Sequence, residues 1–190
     1  MIQRVETMTV AEFVRLYDTE GPFEIINGKA IRLSPGVFRH DVYLIRLLFR
    51  ALDEFVRSHQ LGEVFSEMPF VLIFDSDWVK DSRTPDVMFV KAEWLAEYQV
   101  KEPDFADKPL VIVLDLVVEV ISSNDNYTDV DAKVERYLDD GVQVVWVVDP
   151  RRKTIKVQRQ GTYRTLHIGD VLTGDEVIPG FEQALQAVFG

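Results

Sequence analysis

The stretch LVIVLDLVVEVISSNDNYTDVDAKVERYLDDGVQVVWVV, Leu110–Val148, decides how the chain folds. Its ends, Leu110–Ile121 and Val142–Val148, are nearly unbroken runs of Val, Ile and Leu, the composition of central strands covered on both faces. Between them Val130, Val134, Tyr137 and Leu138 recur at helical spacing and predict a helix from Asp129 to Leu138. Strand, helix and strand in that order read as a βαβ crossover, so the class is α/β.

One residue breaks the first run. Glu119 interrupts Val117-Val118-Glu119-Val120-Ile121, and a lone carboxylate withdrawn from water must find a cation, a proton or hydrogen-bond donors. Alternation along a strand puts Asp115 on the same face but about 13 Å away, too far to share an ion. Asp86 is the second anomaly, a carboxylate that opens the apolar run Val87–Val90 directly after Pro85. Taken alone, it reads first as a strand-end residue in solvent or a loop cap. Lys133 falls at the edge of the helix's apolar stripe. It either snorkels beside Asp129, four residues earlier, or extends toward the sheet. Two carboxylates and an ammonium on neighbouring core elements suit a hard divalent cation such as Mg²⁺, which takes oxygen ligands and keeps waters. Such an ion lowers the pKa of bound water and neutralises charge on a phosphoryl oxygen, and a lysine beside it stabilises the same charge.

Outward from this centre the elements are ordinary. Thr9-Val10-Ala11-Glu12 is a capping box that opens a short helix through Tyr17. Phe23–Ile26 and Ala30–Leu33 flank Asn27-Gly28, a two-residue hairpin turn. A long helix follows over His40–Ser58, with Leu44, Leu48, Leu52 and Val56 toward the core. Arg39, Arg46, Arg50 and Arg57 line its other side, as a solvated face or a contact for a partner. Further strands are expected at Val64–Phe74, bent at Pro69, and at Asp86–Val90. The hairpin Thr154–Val157 and Thr162–Ile168 turns at Gln160-Gly161, and a helix over Phe181–Phe189 closes the chain.

The 190 residues suit one domain, 1–190, with no repeat or linker. There is no cysteine, hence no disulfide framework or thiolate site. No apolar run reaches the about 18 residues of a membrane span, and the N-terminus lacks a signal-peptide pattern, so a cytoplasmic protein is expected. The net charge of −11 opposes sequence-blind nucleic-acid binding. It is unevenly spread, however. Arg151, Arg152, Lys153, Lys156, Arg159 and Arg164 fall between Arg151 and Gly169 with no acid among them, a local surface that could face phosphate.

Pro85-Asp86 followed by a strand ending in Glu119 is similar to the PD-(D/E)xK signature of restriction-endonuclease-like folds. More specifically, the chain resembles the bacterial "putative restriction endonuclease" family. The matching segments are Phe23–Lys29, Leu33-Ser34-Pro35 with His40, Thr84–Val87, Val118–Ser122, Asp129 through Lys133 to Tyr137, and Gly141–Pro150. The resemblance implies a mixed β-sheet flanked by helices, with an N-terminal hairpin and a C-terminal β-hairpin. Asp86 and Glu119 are then metal ligands, with the carbonyl of Val120 as a further one and Mg²⁺ or Mn²⁺ as the ion. Lys133 replaces the superfamily's strand lysine, whose position here is Ile121. Glu24 and His40 also match, as an additional ligand or proton-transfer group. Their plainer roles are a hairpin carboxylate and a helix-opening histidine.

The function this implies is metal-dependent hydrolysis of DNA phosphodiester bonds, by a homodimer. The rival is a non-catalytic nucleic-acid-binding or regulatory module of the same fold, favoured by Ile121 and the acidic surface. Lys133 separates them, because catalysis needs its ammonium in the Asp86–Glu119 cleft. A glycosidase-like carboxylate pair ranks below both, since the lysine and the basic hairpin suit phosphate better.

Overall fold

The computed structural model describes residues 8–26, 28–33, 39–75, 77–105, 108–122 and 125–190, with the backbone alone at residues 39, 40, 74 and 75. In chain order the elements begin with α1 (Val10–Glu20), β1 (Phe23–Ile26), β2 (Lys29–Arg32), α2 (Arg39–Ser58), β3 (Gly62–Ser66) and β4 (Phe70–Asp75). Then come β5 (Trp78–Arg83), β6 (Val87–Lys91), α3 (Ala92–Lys101), β7 (Leu116–Val120), α4 (Tyr127–Asp139) and β8 (Val144–Asp149). The chain ends with β9 (Thr154–Arg159), β10 (Thr162–Leu166), β11 (Val171–Thr173), β12 (Glu182–Ala184) and α5 (Leu185–Phe189).

These elements form two compact units. In the first, comprising Met1–Pro35, Glu67–Pro85 and Ala96–Val113, four strands run in the order β2-β1-β5-β4. The Thr9 side chain and the Glu12 carboxylate cap α1 reciprocally, as the S/T-x-x-E spacing demands. Gly28 has φ +69°, the left-handed geometry of the expected hairpin turn, and Ile26 pairs Lys29 across it; Asn27 lies outside the described residues. Phe13, Phe23, Ile25, Val71 and Val79 make the core.

The second unit, comprising Gly36–Ser66, Asp86–Leu95 and Leu114–Gly190, holds a six-stranded sheet in the order β10-β9-β8-β7-β6-β3. Only β7 and β8 are parallel, joined through α4 as the crossover requires; the other neighbours are antiparallel. Leu116, Val118 and Val120 of β7, with Trp146 and Val148 of β8, share one core with Leu44, Leu48, Leu52 and Val56 of α2. Each such side chain contributes about 1.5–3 kcal/mol on burial. The alternate residue, Glu119, points to the opposite face, toward α4. The mixed sheet flanked by helices and the two hairpins are as the sequence leads one to expect.

Three expected elements differ. The strand expected over Val64–Phe74 is two strands, β3 and β4, in different sheets: Glu67 turns in the left-handed region at φ +51° and Pro69 offers no N–H to a ladder. The run Leu110–Ile121 pairs as a strand only over Leu116–Val120. Its first residues belong to the other unit, where the Leu110 carbonyl accepts the Val71 N–H at 2.7 Å. The terminal helix shortens to α5, because Glu182–Ala184 pairs with β11 instead. Three elements, β5, α3 and β11, were not expected from the sequence.

Candidate active site

Glu119 stands next to last in β7, between an antiparallel and a parallel neighbour. In the β6–β7 register Val87 faces Val118, so one residue further Asp86 falls opposite Glu119. Directly opposed residues share a face, with Cβ atoms about 5 Å apart. A short hydrogen bond fixes Asp86 at this strand end: its Oδ2 accepts the Val120 N–H at 2.6 Å. One acid is thus tied to the backbone beside the other.

From the helix side come two donors. Lys133 Nζ lies 3.0 Å from Glu119 Oε1 and 3.1 Å from Oε2, and the Tyr137 hydroxyl donates to Oε1 at 2.5 Å. Positions 133 and 137 are four apart and so lie above one another on the same helical face. Asn126 caps α4 by accepting the Thr128 N–H, and Asp125 accepts the Ser122 N–H at 2.7 Å, which orders the described ends of the loop between β7 and α4. The Glu119 side chain is 13% exposed and that of Lys133 24%, so their attraction is only partly screened by solvent.

Beside the pair is a hollow of about 200 Å³, lined among others by Glu119, Ile121, Asp125, Asp129 and Lys133; Asp86 is not in its lining. The acids offer hard oxygen donors. Among the described residues no group of three or more His, Cys, Asp or Glu side chains is placed to hold an ion. Such a set does not match a closed zinc site with nitrogen and sulfur ligands. It does fit Mg²⁺ or Mn²⁺, which take one or two carboxylates and retain several waters.

Compared with known proteins, residues 10–187 match the model of a family described as "Putative restriction endonuclease". The chain belongs to that family. The fold is matched by a crystal structure described as a "putative nuclease" from Anabaena variabilis, with a TM-score of 0.76 and 20% identity over 96% of this chain and 97% of that one. Among curated proteins none matches.

Of the residues marked by the family resemblance, Asp86, Glu119, Val120 and Lys133 come together in the second unit. Val120 meets Asp86 through its N–H. Glu24 lies in the first unit, buried in β1, where its Oε1 accepts the Thr84 N–H at 2.9 Å. His40 lies in the first turn of α2, and its side chain is outside the described residues. Sequence reasoning assigned Tyr137 to the apolar stripe alone. Its ring is fully buried, as a stripe residue should be, but its hydroxyl serves Glu119. The one available signal was a tyrosine, where a phenylalanine would fill the core equally well, one turn beyond Lys133.

The basic segment is less available than its charge suggests. Arg159 pairs with Asp175 and Glu176, Arg164 with Asp175, Lys156 with Asp131 and Arg152 with Asp149. Among the described residues, no helix is long and apolar enough to cross a membrane.

Proposed function

We propose that this chain is a nuclease that hydrolyses DNA phosphodiester bonds with Mg²⁺ or Mn²⁺, using Asp86, Glu119 and Lys133. The observation that carries this is the Lys133 ammonium seated on Glu119, at the strand end where the Asp86 carboxylate is tied down. A lysine snorkelling beside Asp129 would have put no cationic group on Glu119 from α4. Asp86, Glu119 and the Val120 carbonyl would hold the ion. When bound, the ion supplies a water of lowered pKa and neutralises charge on the phosphate. Lys133 lines the hollow beside Glu119, so its ammonium needs only a change of rotamer to meet a phosphoryl oxygen there. Asp86, held by the Val120 N–H, keeps its orientation through the reaction.

A specific observation favours a second reading, a non-catalytic nucleic-acid-binding or regulatory module. Position 121 is isoleucine where the wider superfamily carries lysine on the strand. The deciding experiment incubates the protein with single- and double-stranded DNA and RNA in Mg²⁺ or Mn²⁺, beside Glu119→Gln. Cleavage of DNA by the wild type, reduced at least about 10²-fold in the variant, is expected. No cleavage by either protein, with Mn²⁺ binding seen by calorimetry, would establish the non-catalytic module.

A further inference from the structure

We propose that Tyr137 is a positioning residue: its hydroxyl holds the Glu119 carboxylate in place while Lys133 leaves it for a phosphate oxygen. This rests on the metal-dependent reading above and adds a division of labour between the two donors on Glu119. Both come from one face of α4, yet they differ in every property that matters. The Tyr137 ring is 0% exposed and locked by packing; its hydroxyl sits 2.5 Å from Oε1 and has only two side-chain torsions behind it. Lys133 is a quarter exposed, lines the hollow and ends a flexible four-carbon stem. Its Nζ lies over the Tyr137 ring, 5.9 Å from the centre, near the outer limit of a cation–π contact, so little attraction is given up when the lysine swings outward.

Charge separates them too. An ammonium on Glu119 competes with any cation for the carboxylate, whereas a neutral hydroxyl leaves the carboxylate its full charge. Without Tyr137, departure of Lys133 would take from Glu119 both of the donors that α4 supplies, just when both acids are needed. Hydrogen-bond partners behind a metal ligand commonly contribute 10- to 100-fold in affinity by fixing its orientation.

The test is Mn²⁺ titration by calorimetry on the full chain. Tyr137→Phe, which keeps the packed ring, should weaken Mn²⁺ binding about ten-fold with its melting temperature nearly unchanged. Lys133→Met should bind Mn²⁺ at least as tightly as the wild type while losing turnover. Placed on Glu119→Gln, the Tyr137→Phe change should have no further effect on Mn²⁺ affinity, since the proposed route runs through the carboxylate. Wild-type affinity in Tyr137→Phe, or an equal loss in both backgrounds, would overturn the role of Tyr137 and leave the metal site standing. A wild type that does not bind Mn²⁺ would remove the metal site and this role with it.

Discussion

The two ends of β7 each carry a carboxylate on the same face, and they have opposite fates. Asp115, just before the strand, is 2% exposed and closed in by its own sheet. The Lys91 N–H donates to it at 2.8 Å, Gln143 Nε2 at 2.5 Å, and Lys91 Nζ stands 3.8 Å away. These donors tie the end of β6 and the approach to β8 to the start of β7. Glu119, at the far end, takes its donors from α4 and borders an open hollow. A carboxylate inside an apolar run therefore announces that donors exist. What makes it a candidate site is where they come from: donors from the sheet itself close around Asp115, while donors from a helix hold Glu119 at the edge of a hollow.

The most decisive way to break this contrast is to exchange the expected phenotypes. Asp115→Ala leaves Gln143 and Lys91 without their acceptor and should cost about 2–4 kcal/mol in urea unfolding, with Mn²⁺ affinity intact. Glu119→Gln should do the reverse, abolishing cleavage while unfolding within about 1 kcal/mol of the wild type. Loss of Mn²⁺ binding in a still-folded Asp115→Ala protein would erase the distinction.

The basic hairpin divides in the same way. Arg159 and Arg164 converge on Asp175, which also accepts from Thr173, so they are committed to the fold. Arg151, Arg152 and Lys153 are exposed in the turn before β9; Arg152 lies over the Tyr127 ring, 4.5 Å from its centre. Exposed pairs of this kind contribute at most about 1 kcal/mol and yield readily to a phosphate. Replacing all three by Ala should lower the slope of log affinity for DNA against log salt by about two to three units. Arg164→Ala should leave that slope unchanged and cost about 1 kcal/mol of stability instead. Equal slopes for the two variants would place the phosphate contacts elsewhere.

Much of this organisation was legible because its signals are local. The Thr9 capping box, the Asn27-Gly28 turn, the α2 stripe and the crossover around α4 each need only neighbours in sequence. So did Glu119 and Lys133, whose chemistry conflicts with the apolar pattern around them. What escaped was decided by distant partners. Strand β5 reads Trp-Val-Lys-Asp-Ser-Arg, and its buried positions include Asp81, Ser82 and Arg83. Asp81 and Arg83 pair at 3.1 Å, and Ser82 Oγ accepts the Ile25 N–H, so hydropathy gave no hint of burial. Helix α3 buries only Leu95 and Tyr98, too thin a stripe to recognise. The basic segment looked available because Asp131, Asp175 and Glu176 lie outside it. Tyr137 was hidden by satisfying two demands at once, a packed ring and a polar tip.

The smallest expected effect, which sets Asp115 against the arginine-paired Asp175, is in the pH dependence of stability. Burial pushes the Asp115 carboxyl above its ordinary 3.8, although the Lys91 backbone and ammonium oppose the shift. Burial also acts on Asp175, but hydrogen bonds from Thr173, Arg164 and Arg159 outweigh it and hold that carboxyl below 3.8. The signs then differ. With its folded pKa raised, Asp115 keeps its proton longer in the native state, so its share of stability is lost as pH rises from 3.8 through the folded value. With its folded pKa lowered, Asp175 contributes stability above 3.8 that is lost as pH falls through its own folded value. Asp115→Asn mimics the protonated form and should gain on the wild type as pH rises through the first window. Asp175→Asn should match the wild type at the acid end and fall behind by about 1 kcal/mol once the pH is well above 3.8. Urea unfolding from pH 3 to pH 7 measures both slopes, and slopes of the same sign would show that the Asp115 knot is electrostatically no different from the arginine-paired Asp175 cluster.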